Sequence, residues 1–116
     1  MDIKRLHVGK TLSEAAIHNG TIYLAGQIAE DTTQNIEGQT REVLGHIDRL
    51  LAETGSDKTR ILMCQIFISD VKDFNDMNMV WNEWVAAGNS PPRATVEAKM
   101  ISPELLVEMV VTAAQK

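Results

Sequence analysis

Cysteine, histidine, proline and aromatic residues are all scarce in this 116-residue chain, and the first two scarcities exclude whole classes of chemistry. The only cysteine, Cys64, cannot close an internal disulfide, and it lies in the most apolar stretch of the chain, which suits a buried, inert thiol. Three scattered histidines (His7, His18 and His46) offer neither metal-ligand spacing nor a nucleophilic partner, so no metal site is expected. No cofactor motif, Ser-His-Asp set or phosphate-cradling glycine loop is present either. Positive charge is also in deficit. The formal net charge is -5 with a pI near 5.1, and the densest basic grouping is Lys58-Thr-Arg60, which argues against a nucleic-acid surface built on clustered Lys and Arg. No apolar run approaches the ~20 residues that span a bilayer, and Met1-Asp-Ile-Lys-Arg5 lacks a signal-peptide core. A cytoplasmic protein with one domain over residues 1–116 is expected.

What is present reads as short strands and two amphipathic helices. Ala15-Ala-Ile-His18 and Thr21-Ile-Tyr-Leu-Ala25 flank Asn19-Gly20, the dipeptide favoured where both turn residues take positive φ, which predicts a type I′ hairpin. After a polar connector, Ile36, Thr40, Val43, Leu44, Ile47, Leu50 and Leu51 form one stripe of period 3.6, with Gly55 as its stop. Ile61–Ile68 is a nearly continuous apolar run of strand length, apolar on both faces. A second helix is expected from Val71 or Lys72 to Ala87, burying Phe74, Met77, Val80, Trp81 and Trp84, ahead of Gly88-Asn89 and Pro91-Pro92. Trp81 and Trp84 share a face with Phe74, as suits core or subunit-interface packing rather than a base-stacking platform. The last two strands are placed at Arg93–Met100 and Leu105–Ala113.

The order ββ-α-β-α-ββ predicts an α+β fold, a sheet with two helices packed on one face, because each helix has one apolar stripe. The other sheet face is then too apolar for solvent and is expected to bury against copies of the same chain.

Within this frame Glu108 stands out. A carboxylate inside Leu105-Leu-Val-Glu-Met-Val-Val is costly unless it is paired, protonated or used. Arg93, at the head of the preceding strand, has a guanidinium whose paired donors match a carboxylate. If the last two strands pair antiparallel in tight register, the two residues can sit opposite each other, either as a structural ion pair or sharing a substrate; pairing across a boundary between copies is the third option.

Ala25-Gly-Gln-Ile28, Asp73-Phe-Asn-Asp-Met-Asn78, Pro91-Pro-Arg93-Ala-Thr-Val-Glu97 and Val107-Glu-Met109 occur in an order and spacing that resembles the Rid/YjgF family of reactive-intermediate deaminases over nearly the whole chain. The resemblance implies a chorismate-mutase-like homotrimer with clefts between subunits and no cofactor. It also implies hydrolysis of 2-imino or enamine acids such as 2-aminoacrylate to 2-keto acids and ammonia. By position, Arg93 inherits the role of holding the substrate carboxylate and Glu108 that of orienting water and shuttling a proton. Gly26 stands either as a backbone donor to substrate or as a strand-end glycine, and Asn78 as a cleft donor or a helix-surface residue. Thr95, a candidate substrate contact, stands where the family commonly has a cysteine and keeps a small side chain with a hydroxyl, whereas two polar contacts are missing: Ala25 stands where many deaminating members have a serine, and Leu12 roughly where a tyrosine is often found. Each lost polar contact costs on the order of 1–3 kcal/mol if a buried substrate group goes unpaired. A non-catalytic trimeric module that binds small carboxylates or keto acids is the alternative implied by those losses.

Overall fold

The computed structural model describes residues 2–116. Asn19 and Gly20 take φ of 55° and 79°, so the predicted turn joins strand β2 (Ser13–His18) to β3 (Thr21–Leu24) in antiparallel register, with His18 opposite Thr21. Helix α1 runs Ile36–Glu53. Asn35 caps it by accepting from the Gly38 amide at 2.9 Å, and Gly55 at φ 82° turns the chain beyond its end. All seven residues of the predicted stripe are buried, together with Gln39. Strand β4 spans Ile61–Ile68 as expected. Helix α2 covers Phe74–Trp84, preceded by a short 3-10 turn at Val71–Asp73. It stops three residues before Ala87 because Val85 leaves the helical region at ψ 139°, while Lys58 Nζ donates to the Trp84 carbonyl at 2.6 Å and satisfies the open end.

A strand at Lys4–Val8, β1, was not expected from the sequence. It is an exposed edge strand antiparallel to β2, and only Leu6 packs partly against the core, so its residues carry no apolar alternation to reveal it. The final strands are β5 (Arg93–Glu97) and β6 (Val107–Ala114). Both are bounded where β4 runs out, since Ile68 is the partner of Glu97 on one side and of Val107 on the other. Hence the expected extensions to Met100 and back to Leu105 have no strand to pair with.

The six strands form one mixed sheet in the order β1-β2-β3-β6-β4-β5. Strand β4 lies between the last two, parallel to β5 and antiparallel to β6. This arrangement is the α+β sheet predicted, with α1 and α2 on one face. The core consists of their apolar stripes, including Leu44, Ile47, Leu50, Met77 and Trp81, against Ile22, Cys64, Ile66, Val107, Met109 and Val111. On the other face Tyr23 and Met63 are 52 % and 45 % exposed, flanking Thr112 in one cross-strand row. No helix among the described residues is long and apolar enough to cross a membrane.

Candidate active site

Strand order decides where Arg93 and Glu108 point. The Cα partner of Arg93 is Cys64, whereas that of Glu108 is Phe67, three residues further along β4. An odd offset places the two side chains on opposite faces, and two strand spacings with three residue rises separate their Cα atoms by about 14 Å. The expected direct pairing therefore does not occur within one chain. The reason is topological: β5 joins the sheet beyond β4 instead of forming a hairpin with β6.

Arg93 faces the helices. Its Cζ lies 5.1 Å from the centre of the Trp81 ring and 5.8 Å from that of Phe74. Burial holds the guanidinium pKa below its usual value, and Nη1 is buried without a hydrogen-bond partner. Thr95, two residues along the same face of β5, has an orphaned buried hydroxyl. Asn78 lies on α2 between Phe74 and Trp81 at helical spacings of four and three, and its Oδ1 is orphaned too. Among the described residues these three are the buried side-chain polar atoms that lack a partner. Native interiors rarely leave such atoms unmatched, which makes these three candidates for polar contacts from outside the chain.

Glu108 projects from the opposite face, between the buried Val107 and Met109. It is half-buried and joins none of the ion pairs among the described residues. Gly26 is pressed against it: a Cβ built on Gly26 would collide with Glu108 Oε2, so any larger residue requires the carboxylate end of Glu108 to shift. Gln27 and Met109 exchange backbone hydrogen bonds at 2.8 and 3.1 Å, which ties the segment after β3 beside Glu108. A cavity of about 320 Å³ lies here, lined by Glu108 and Gly26 together with Leu12, Glu14, Ala25 and His46 among others. A second, of about 250 Å³, is lined by Glu108, Phe67 and Ala98–Ile101. Neither includes Arg93, Asn78 or Thr95.

The candidate residues thus fall into two groups, candidate half-sites: Arg93, Asn78 and Thr95 on the helix-facing side of the sheet, and Glu108 with Gly26 on the other. Residues 3–115 match the family model described as Endoribonuclease L-PSP. The chain belongs to the Rid/YjgF family. Among its members, a RutC family protein of Haemophilus influenzae is 50 % identical over 114 residues, covering 97 % of this chain and 98 % of the relative. The RutC family protein YoaB of Escherichia coli is 39 % identical, with 98 % and 99 % covered. The crystal structure of a YjgF family member from Neisseria meningitidis superposes with a TM-score of 0.97 at 44 % identity, covering 100 % of this chain and 97 % of that one. This agreement with solved Rid/YjgF structures supports the mixed six-stranded sheet as the family fold.

Three features near these half-sites were not singled out in the sequence as part of a site. Phe74 and Trp81 read as core, and their period-3.6 spacing gives no hint that an arginine from a distant strand lies against them. Gln39 is fully buried and spans from α1 to the chain before β6: its Nε2 donates to the Glu104 carbonyl at 3.0 Å and its Oε1 accepts from the Leu106 amide at 3.0 Å. A polar residue on the edge of an apolar stripe was the available signal. Cys64 is fully buried and desolvation pushes its thiol up to about 12, the inert state expected of it.

Proposed function

We propose that this Rid/YjgF protein hydrolyses small 2-imino or enamine acids to 2-keto acids and ammonia, in a homotrimer where the Arg93 half-site of one copy meets the Glu108 half-site of another. The observation that carries this reading is the trio of orphaned buried polar atoms at Arg93, Asn78 and Thr95. A guanidinium, an amide oxygen and a hydroxyl suit a carboxylate with a neighbouring N–H donor: the cation holds the carboxylate, and Asn78 and Thr95 take the remaining polar atoms. Glu108, on the opposite face of its own chain, reaches such a ligand only from another copy. The apolar open face around Tyr23, Met63 and Val96 gives copies a surface to bury.

In the proposed step a water bound by Glu108 attacks the imine carbon. Its oxygen forms the new C–O bond, the C=N π pair moves to nitrogen, and Glu108 takes the proton that water releases. Glu108 then returns that proton to nitrogen, giving the neutral carbinolamine; in a second cycle it takes the hydroxyl proton and delivers it to nitrogen as the C–N bond breaks, the carbonyl forms and ammonia leaves. The substrate is already an electrophile, so positioning is the main contribution and no covalent intermediate with the protein is needed. An enamine first tautomerises to the imine and enters the same sequence.

The decisive assay is release of keto acid and ammonia from enzymatically generated 2-aminoacrylate and from larger imino acids. Inactivity with all of them in a folded trimer sinks the reading. One observation favours a second reading, a keto-acid binding module without turnover: the cavity beside Glu108 is lined by Leu12 and Ala25, where polar ligand contacts are commonly found in deaminating relatives. Keto-acid binding that is lost in Arg93→Ala, without hydrolysis of any imine, selects it. The ribonuclease label of the family model sits poorly with a net charge of -5, and rigorously purified protein is expected to leave RNA intact.

A further inference from the structure

An arginine that is partly buried, with one guanidinium nitrogen shut off from water, normally meets a carboxylate. Arg93 has none: no ion pair among the described residues includes it, and its buried Nη1 has no acceptor. Instead its guanidinium carbon lies over two aromatic rings, Trp81 at 5.1 Å and Phe74 at 5.8 Å, both within the range where the negative face of a π system attracts a cation. Trp81 is itself almost fully buried and Trp84 packs on it with ring centres 5.4 Å apart, so the Trp81 ring cannot swing away. The two rings come from positions 74 and 81 of one helix, seven residues apart, and so lie on one stripe with Asn78 between them.

We propose that Trp81 and Phe74 are positioning residues for Arg93: they hold its guanidinium charged and oriented while leaving its N–H donors free for the carboxylate of an incoming ligand. The chemistry distinguishes this support from an ion pair. An acidic partner accepts the guanidinium hydrogens and neutralises the charge, whereas a ring face stabilises the cation electrostatically and accepts none of its in-plane N–H groups. It also keeps a long, flexible side chain from collapsing into other rotamers before the ligand arrives. This role rests on the carboxylate-binding part of the function proposed above. It gives that part a specificity: a planar monoanion able to take two hydrogens from the edge of a fixed guanidinium.

The test pairs a ligand-free measurement with a binding one. In the unliganded protein, the side-chain NMR signals of Arg93 are expected to be displaced by the ring current of Trp81 and to show slowed guanidinium rotation. Trp81→Leu is expected to remove both effects, and Trp81→Tyr to retain much of them. With 2-oxobutanoate as the probe, Trp81→Leu is expected to weaken binding by roughly 3- to 30-fold, the span of a partly to fully desolvated cation-π contact. In the imine assay KM should rise by the same factor with kcat within about twofold, and Trp81→Tyr should restore both. Phe74→Leu, at the half-buried start of α2, provides the same readouts if Trp81→Leu does not fold. Arg93 signals unchanged between wild type and a folded Trp81→Leu overturn the inference, as does unchanged affinity in that variant. A wild-type protein that neither binds 2-oxobutanoate nor turns over any imine removes the proposed function, and the ligand-free spectra then decide the aromatic support by themselves.

Discussion

The two half-sites are built on opposite physical terms. Around Arg93 the polar atoms are buried, unmatched and held by rigid aromatic packing, whereas Glu108 is half-exposed beside open cavities and is shaped chiefly by a glycine that leaves it room. The first arrangement suits recognition, because a half-buried cation with free donors gains from a matching anion. The second suits proton handling, because a carboxylate that remains near water can exchange with it. In the proposed function, their separation across the sheet means that neither group reaches a small ligand alone, so that function requires assembly.

This contrast can be broken experimentally, beginning with the largest effect. Glu108→Gln removes the proton carrier and is expected to lower turnover by about 10²- to 10⁴-fold. Calorimetry with 2-oxobutanoate on the same variant should show affinity within about twofold of wild type, and a matching loss of affinity would erase the division of labour. Arg93→Ala should do the reverse, weakening keto-acid binding by roughly 10- to 100-fold through the loss of charge-assisted hydrogen bonds. Arg93→Lys should recover little of it, since an ammonium lacks the paired geometry. Co-refolding the Arg93→Ala and Glu108→Gln chains in equal amounts sharpens the comparison. If each site takes Arg93 from one copy and Glu108 from another, random mixing restores about a quarter of the sites; no recovery in a mixed trimer means that both residues serve the same chain.

A smaller effect is expected at Gly26. In Gly26→Ala the added Cβ collides with the Glu108 carboxylate, so the carboxylate must shift. Turnover is expected to fall by about tenfold, with a stability loss on the order of 1–3 kcal/mol by thermal melting. Turnover equal to wild type would show that the placement of Glu108 is not set by this contact.

The smallest effect lies away from both half-sites. His7 Nε2 meets Glu53 Oε2 at 2.5 Å, joining β1 to α1, and hydrogen bonding to that carboxylate raises the His7 pKa above its ordinary 6.5. A raised folded-state pKa gives stability that is fully present below the unfolded value and is lost as pH rises through the folded one. The melting temperature gap between wild type and His7→Gln should therefore be widest below the ordinary value of 6.5 and should close as pH rises through the raised one. Catalysis should be indifferent to it, and a parallel change in keto-acid affinity would link the edge strand to the site.

Much of the fold was legible because its signals are local. Asn19-Gly20 demanded a left-handed turn, the stripe from Ile36 to Leu51 required a helix face, and the apolar run Ile61–Ile68 coincides with β4. The edge strand β1 escaped notice because almost none of its surface is buried, so it needed no apolar pattern. For the site, the residue types were legible and the geometry was not. The structure places Arg93 and Thr95 on the helix-facing side of β5, Asn78 on α2 between the two rings that Arg93 meets, and Gly26 against Glu108. Of the alternatives open for Arg93 and Glu108, contact within one chain is excluded by a single fact of topology.

By itself the sequence determined which residues share a face of their own helix or strand, because periodicity is a property of each element alone. It also determined the chemistry on offer: one conspicuous carboxylate, one arginine at a strand head, a glycine and two short polar side chains. Only the tertiary structure decided that β4 separates β5 from β6, and with that the offset of three residues that sends Arg93 to one face and Glu108 to the other. Strand order is settled by which surfaces bury best against α1 and α2 across long stretches of chain, and no local pattern records it.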